Sequence, residues 1–224
     1  IIDMSAPFEP ESVALEPEDP MALGVYQKFI ESIEARGGAF APGLAEQLLG
    51  LGLNLQALGR HHEAASALKR GVHISRIQSG LHSAAQVPLL RAEIRSLMAL
   101  EKYHLVDERQ QYLARVEAKT LDGTPAIKAL IDQAAWAEQA HVLELSRDED
   151  QPEYLLRSWE YYQIAFIKSL EFFGDGSLEL IKPLEGMVRL YYRLAAYEKA
   201  AAGNRFGGNN YRQVSALGNI HRRG

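Results

Sequence analysis

The amino-acid sequence predicts an all-α protein, a solenoid of antiparallel helix pairs stacked in a row. Leu48, Leu51, Leu55 and Leu58 fall on one face of a helix, and a turn at Gly59 follows them. A second amphipathic segment comes directly after this turn, and the helix–turn–helix pattern returns at a fixed step of 42 residues. A helix pair of this kind cannot bury its apolar face alone, so neighbouring pairs must cover it.

The clearest pair lies between residues 43 and 79. It matches W-x2-L-G-x2-Y and then A-x3-F, with aliphatic residues in place of most aromatics: Leu48, Leu51, Gly52, Leu55, Ala64 and Leu68. This order resembles a tetratricopeptide (TPR) repeat, and Gly52 leaves room for a second helix to cross close by. The resemblance implies a right-handed superhelical solenoid. The repeat length is similar to that of the longer, kinesin-light-chain-like class, which is common in bacterial proteins.

The repeat step also relates distant parts of the chain. Forty-two residues before Gly80 stands Gly38, which ends an earlier helix. An insertion of ten residues then accounts for Gly174, which lies 94 residues after Gly80, and for Leu194, which lies 136 residues after Leu58. Because one insertion explains both later positions, the similarity indicates a true repeat.

The repeat predicts one unpaired helix followed by four pairs. The unpaired helix starts at Pro20, where the missing amide hydrogen costs nothing, and ends at Gly37-Gly38. It corresponds to the second helix of a repeat whose first helix is absent. The pairs are expected at 43–59 with 61–79, 87–101 with 103–119, 126–145 with 153–173, and 178–195 with 196–206.

Three regions follow from this organisation. Residues 1–19 are a Pro- and acid-rich segment that we expect to be extended, since proline at this density disfavours regular structure. Residues 20–206 form the helical repeat domain, within which the acidic stretch SRDEDQPE takes up the insertion. Residues 207–224 are a Gly/Asn-rich basic tail, which we expect to be mobile.

Several positions depart from the TPR pattern. Glu93 takes a core position in the second pair and Gln110 the place of an aromatic residue, so either the register slips there or those positions are less buried. In the third pair Asp132 and Gln139 fall where apolar residues are expected. Trp136 is expected in the core, with a ligand platform as the alternative. The fourth pair places its core residues at Leu184, Met187, Val188 and Tyr191.

Composition limits the possible functions. The chain has 224 residues, 47% of them hydrophobic, and a net charge of −5, which argues against a general nucleic-acid surface. The absence of Cys excludes disulfides and Cys-ligated metal. No apolar run approaches the roughly 20 residues that span a bilayer. The chain begins Ile-Ile, so we expect that its start has been trimmed. We expect a soluble protein, and two locations remain open, the cytoplasm and an exported compartment.

Nothing in the sequence proposes a reaction or a cofactor. His61 and His62 are adjacent and therefore point to different faces of a helix, which favours solvated surface over metal binding. The sequence contains no HExxH, no phosphate-binding glycine loop and no triad spacing. Enzymatic activity is therefore not predicted, and neither is a metal site.

The TPR resemblance implies a concave groove lined by the first helix of each pair, which commonly accepts a peptide or a partner helix. The groove positions hold Leu49, Leu53, Gln56 and Ala57 in the first pair and Arg91, Arg95, Met98 and Ala99 in the second. In the fourth pair they hold Glu185, Arg189, Tyr192 and Arg193, with Lys182 one turn earlier. The candidate binding residues are therefore Arg91, Arg95, Met98, Lys182, Glu185, Arg189, Tyr192 and Arg193.

Two interpretations of the groove arginines remain open. They could clamp the carboxylates of an acidic partner segment, to which the guanidinium fork is suited. Alternatively, they pair with Glu93, Glu101 and Glu185 on a solvated face. On the first interpretation, Arg95→Glu or Arg189→Glu weakens partner capture without lowering thermal stability.

The sequence thus predicts a protein–protein interaction module or assembly scaffold. Its partner is a protein or peptide, with an acidic segment as one option, and neither nucleic acid nor membrane insertion is predicted. The alternative is a self-associating structural protein, because the incomplete repeats at the two ends leave apolar edges such as Phe29 and Tyr197 in need of cover.

Overall fold

The computed structural model describes residues 20–145 and 152–205, and within these ranges it contains eight α-helices, a short 3-10 helix and no β-strand. The helices are α1 (Pro20–Gly37), α2 (Leu44–Ala57), α3 (His61–Ser79), α4 (Gln86–Ala99), α5 (Tyr103–Thr120), α6 (Gly123–Val142), α7 (Glu153–Phe173) and α8 (Ile181–Arg205), with the 3-10 helix at Leu178–Leu180. The predicted extended segment 1–19, most of the acidic loop and the basic tail 207–224 lie outside the described residues.

The helices stack as antiparallel pairs. Each first helix (α2, α4, α6) packs against the second helix that follows it (α3, α5, α7), and each second helix also packs on the next first helix. At the start of the stack, α1 takes the place of a second helix against α2. The predicted all-α solenoid is therefore confirmed, as are the first two pairs to within three residues at every boundary.

The first helix of every complete pair ends in the same tight turn, which leads directly into the second helix in the first two pairs. Its second residue has a left-handed backbone, with φ of 72° at Gly59, 55° at Glu101 and 53° at Glu144. The residue after it donates its amide hydrogen back across the turn in each case: Arg60 to Leu55 at 2.8 Å, Lys102 to Leu97 at 3.0 Å and Leu145 to Ala140 at 3.1 Å. This bond satisfies a carbonyl left free by the helix end, so the turn geometry repeats even where glycine does not.

These turns show that the predicted register of the first helix of the third pair is wrong by one residue, whereas its second helix, α7, has the predicted range of 153–173. Glu144 lies 43 residues after Glu101, and α6 runs from 123 to 142 instead of 126 to 145. The polar residues Asp132 and Gln139 therefore do not occupy the core positions that the 42-residue step gave them. Gln133 and Ala140 hold those two positions, and Trp136 and Ala137 hold the two core positions between them. All four residues are buried.

The predicted break in the fourth pair is also wrong. A single helix, α8, continues from 181 to 205 in place of two helices at 178–195 and 196–206. At the position of Gly59 stands Ala195, followed by Ala196, and alanine favours helix over the left-handed turn. Because none of the described helices follows α8 and packs back on it, Leu184, Val188 and Tyr191 are 41%, 55% and 53% exposed, although they were predicted in the core.

Close crossings nevertheless confirm the register of α8. A Cβ atom added to Gly52 would lie 2.5 Å from Cγ of Leu68. Added to Gly50 it would lie 2.5 Å from the ring of Tyr26, and added to Gly186 it would lie 2.5 Å from the ring of Tyr162. Gly50 and Gly186 are 136 residues apart, and so are Tyr26 and Tyr162. The two contacts are therefore equivalent contacts in different repeats.

Polar side chains are buried where the second pair meets the third. Glu93 and Gln110 are only 2% and 5% exposed in an intact register, so both explanations offered from the sequence are wrong. Oε1 of Glu93 accepts a hydrogen bond from Nε of Arg109 at 2.9 Å. Nε2 of Gln133 donates to Oε1 of Gln110 at 3.2 Å and to Oε2 of Glu117 at 3.3 Å. These hydrogen bonds offset most of the cost of burying the polar groups, although Oε2 of Glu93 has no hydrogen-bond partner among the described residues.

Asp107 anchors a second part of this buried network. It accepts hydrogen bonds from Nε1 of Trp136 at 3.0 Å, from the hydroxyl of Tyr154 at 2.9 Å and from Nε2 of Gln111 at 2.8 Å. Burial, reinforced by the hydrogen bond to Asp107, raises the pKa of Tyr154. Trp136 is 2% exposed, which confirms its predicted place in the core.

We expect Gly52→Ala to destabilise the protein by about 1–3 kcal/mol, because the added methyl group overlaps the fully buried Leu68 side chain. The control is Gly24→Ala in α1, where an added Cβ meets nothing within 4 Å. That change should stabilise the helix by about 0.5–1 kcal/mol. Urea unfolding of both variants measures the difference; equal effects would contradict the close helix crossing.

The stability of a Glu93→Gln variant should depend on pH differently from that of the wild type. Burial raises the pKa of Glu93, and the charge of Arg109 opposes the shift only in part. A carboxyl group with a raised pKa stabilises the folded state below its unfolded pKa, and this contribution is lost as pH rises through its folded pKa. The Tm of the variant minus that of the wild type should therefore increase from about pH 4 to 7.

A constant or falling difference for Glu93→Gln would show that Glu93 is not held in an environment that disfavours its charge.

Candidate partner-binding groove

The candidate site lies on the first-helix face, which we define as the surface formed by equivalent positions on α2, α4, α6 and α8. These positions hold Leu49, Leu53, Gln56 and Ala57 on α2; Arg91, Arg95, Met98 and Ala99 on α4; Ala134, Glu138, His141 and Val142 on α6; and Glu185, Arg189, Tyr192 and Arg193 on α8. The α6 set follows from the corrected register of the third pair.

Hydrogen bonds across this face tie neighbouring first helices together. Nε2 of Gln56 on α2 donates to the carbonyl of Ala92 and to the hydroxyl of Ser96 on α4, both at 2.6 Å. Between α6 and α8, side-chain ion pairs make the equivalent connection. Neighbouring first helices are therefore linked through predicted groove positions between α2 and α4 and between α6 and α8.

Arg91 points from this face into the buried polar network. Its Nη2 lies 2.8 Å from Oε1 of Glu117, and its Nε donates to the same oxygen at 3.2 Å. Burial raises the pKa of Glu117, and the hydrogen bond from Arg91 opposes that shift. The partner proposed from the sequence, Glu93, binds Arg109 instead, so that pairing is corrected.

Arg95 differs from every other arginine of the face. It is half-buried, its guanidinium makes no ion pair or side-chain hydrogen bond with any residue of the described ranges, and burial alone lowers its pKa. One turn further along α4, Met98 is half-buried and packs on the main hydrophobic core. The face therefore presents an uncompensated cation beside an apolar surface.

Arg189 and Arg193 converge on one carboxylate, that of Glu138. Arg189 donates to both oxygens of Glu138, from Nη2 at 2.7 Å and from Nε at 3.0 Å, and Nη1 of Arg193 donates at 2.8 Å. The hydroxyl of Tyr162 donates to Glu138 at 3.2 Å and accepts from Nη2 of Arg189 at 3.2 Å. The hydrogen bond to Glu138 raises the pKa of Arg189, and burial raises the pKa of Tyr162 to about 12.

The other predicted residues of α8 lie apart from this cluster. Lys182 and Glu185 are exposed, and Tyr192 is 69% exposed with its ring edge-on to that of Tyr191. Glu185 does not pair with the arginines, as one interpretation of the sequence proposed, because Glu138 takes that role. The structure thus brings together two of the five candidate residues on this helix.

The net charge of the first-helix face is positive. Its positions hold four arginines and two carboxylates: Arg91, Arg95, Arg189, Arg193, Glu138 and Glu185. Burial and the charge of Arg193 lower the pKa of His141, so this histidine adds no charge at neutral pH. This face therefore carries a sign opposite to the net charge of −5 of the whole chain.

Glu138 and His141 were not predicted from the sequence. The 42-residue step shifted the predicted positions on α6 by one residue, so the third pair gave no set of groove positions on a single helix face. The signal that could have found them is Leu143-Glu144, which matches Leu100-Glu101 at the helix end and gives a step of 43 residues.

A cleft of about 560 Å³ opens between α5 and α7, on the opposite side of α6. Its charged lining is balanced between three cations and three carboxylates: Arg115, Arg157, Lys168, Glu117, Asp122 and Glu160. Among the described residues, no three His, Asp or Glu side chains converge as they would around a metal ion. No helix in those ranges is long and apolar enough to cross a membrane.

Comparison with solved structures shows which known fold this chain has. No family model matches the sequence, and no curated protein sequence matches it. Among solved structures, the chain is similar to a Podospora anserina protein assigned as a kinesin light chain with nearly identical TPR-like repeats. The two share 13% sequence identity with a TM-score of 0.60, over 81% of this chain and 82% of that one. The chain therefore has the TPR-like superhelical fold that its sequence predicts.

We expect Glu138→Gln to lower the free energy of unfolding by about 1–2 kcal/mol. The change removes the charge that holds Arg189 and Arg193 together, and the partial exposure of both arginines limits its cost. Glu185→Gln, one turn away from Arg189 on α8, is the control and should stay within about 0.5 kcal/mol of the wild type. Chemical unfolding that shows no difference between the variants would contradict the structural role of this cluster.

Proposed function

We propose that this protein is a binding module that captures an acidic segment of a partner protein on its first-helix face. TPR-like solenoids build extended concave surfaces from their first helices and serve in general as protein-interaction scaffolds. The observation that carries the proposal is Arg95, a half-buried cation without an internal partner in the described part of the chain. The proposed role is binding and not catalysis.

The energetic argument concerns desolvation. A guanidinium group that has lost part of its water and gained no carboxylate is a site where an incoming anion recovers the missing interaction. Arg91 and Arg189 lack this property, because Glu117 and Glu138 already satisfy them. Arg95 is therefore the proposed anchor, and the Arg189–Glu138–Arg193 cluster supplies a weaker positive field further along the face.

The neighbours of Arg95 favour a ligand with both acidic and apolar side chains. On α4, Met98 is half-buried. On α2, the positions equivalent to Arg91 and Arg95 hold Leu49 and Leu53, which are also half-buried. Methionine adapts to varied apolar partners, so this surface suits a segment that places an apolar residue near its carboxylate. The overall negative charge of the chain disfavours nucleic acid as the partner.

The proposal is tested with a fluorescent probe peptide of alternating Glu and Leu residues and a matched peptide with Gln for Glu. The wild type should bind the acidic probe better, with an affinity that falls as salt rises. Arg95→Glu should weaken binding of the acidic probe about tenfold or more, because it removes a charge-assisted contact and adds repulsion. The Tm should hardly change, since Arg95 has no internal partner to lose.

Lys168→Glu is the matched control, because it makes the same change of net charge in the balanced cleft on the other side of α6. It should leave peptide affinity within about twofold of the wild type. Arg189→Glu is a poorer test, since it also breaks the contact with Glu138 and lowers stability. If Arg95→Glu and Lys168→Glu reduce affinity equally, the proposed site is wrong and only the overall charge matters.

A further inference from the structure

The last helix exposes a row of side chains whose equivalents are buried in every complete pair. On α8, Leu184, Val188 and Tyr191 are 41%, 55% and 53% exposed. The equivalent residues are buried in the first helices of the three complete pairs: Leu48, Gly52 and Leu55 on α2, Leu90, Ile94 and Leu97 on α4, and Gln133, Ala137 and Ala140 on α6. In each complete pair this row faces the second helix of the same pair, and no second helix follows α8 within the described residues.

The opposite end of the stack shows the converse arrangement. On α1, Phe29 is 54% exposed and Val25 is 50% exposed. The residues equivalent to Phe29 are buried in all three complete pairs: Gly71 on α3, Leu113 on α5 and Ala165 on α7. This position lies between two first helices: a Cβ atom added to Gly71 would lie 2.6 Å from Leu89 on α4, the next first helix, and 3.4 Å from Leu48 on α2, the first helix of its own pair. On α1 the cover from its own pair is missing, because α1 is a second helix that has no first helix among the described residues.

The two ends are therefore complementary halves of one repeat. We propose that α1 of a second copy of this chain docks antiparallel on α8, so that copies associate head to tail. The α2–α3 contact inside the chain is the template for the register of this contact, in which Leu68 packs on Gly52 and Gly71 lies against Leu48. Bulkier residues replace both glycines in the proposed contact, so its crossing must be wider, as between α4 and α5, where the buried Ile94 and Leu113 hold the same two positions. Carried over by the repeat step, Tyr26 of the second copy packs on Val188, and Phe29 of that copy packs on Leu184.

The charges at the edge of this contact are also complementary. In the template, Nε2 of Gln78 on α3 donates to the carbonyls of residues 40 and 41, at 2.9 Å and 2.8 Å. Arg36 takes the place of Gln78 on α1, and its side chain reaches only Ser32 of its own helix. On the α8 side, the matching residues 176 and 177 are flanked by the exposed carboxylates of Asp175 and Glu179. The cation of one copy therefore meets two carboxylates of the next.

This contact leaves free ends. The helices α1 and α8 lie at opposite ends of the stack, so a chain cannot cover its own α8 with its own α1. A contact between different surfaces that does not close into a ring produces open chains, whose length grows with concentration. The inference is independent of the first-helix face, because neither row of side chains belongs to it.

Light scattering of the full 224-residue chain and of two single variants tests the proposal. Val188→Glu blocks the α8 end and Phe29→Glu blocks the α1 end, and both residues are exposed, so each variant keeps its fold. The average mass of the wild type should rise with concentration, whereas each variant alone should remain a monomer. An equimolar mixture of the two variants should reach twice the monomer mass and stop there, because one intact contact remains.

The remaining outcomes would overturn the proposal. A wild type that is monomeric from micromolar to millimolar concentration would contradict head-to-tail association. Self-association of Phe29→Glu alone would indicate an α8-to-α8 dimer, and a mixture that stays monomeric would exclude the head-to-tail contact. Leu105→Glu, at an exposed leucine of α5 in the middle of the stack, is the control and should associate as the wild type does.

Discussion

Mutual cover between stacked helices is the constraint on which the structure depends. Each second helix has two apolar sides, one for its own first helix and one for the next, so no pair is stable alone. The side chain at the position of Leu68, which is a tyrosine in α1 and α7, packs between the second helix and its neighbouring first helices. Gly50, Gly52 and Gly186 permit the close helix crossings at these contacts. Where a neighbour is missing, as at Phe29 and Val188, the same positions are exposed. The chemistry of the two ends thus follows from the rule that builds the middle.

The buried polar network and the first-helix face are two parts of one electrostatic arrangement. The interface of the second and third pairs holds carboxylates of Glu93, Asp107 and Glu117 that need cations or donors, and Arg91 is drawn inward to meet one of them. Arg95, one turn further on the same helix, is left without such a partner among the described residues. The cost of burying acids in the core is offset locally, and the remaining positive charge appears on the surface proposed for binding.

The sequence predicts the fold well because helix pairing leaves a periodic apolar pattern and because the left-handed turns recur at a nearly constant step. It fails where a single residue shifts the register of α6, since a change of 42 to 43 moves every side chain by 100° around the helix. It also fails at Ala195, where the repeat alignment implies a turn but local propensity favours helix. The groove arginines could be predicted from the repeat register alone. Their partners Glu117 and Glu138 lie on other helices, so the tertiary structure was needed to identify these ion pairs.

The central claim is that an acidic partner lies beside Arg95 on the first-helix face, and methyl NMR tests it most directly. The chain has four methionines, of which Met98 lies on this face and Met187 packs in the core of the last pair. With ¹³C-methyl-labelled protein, addition of the acidic peptide should shift and broaden the Met98 signal while the Met187 signal stays in place. Saturating binding of the peptide with an unchanged Met98 signal would contradict this account.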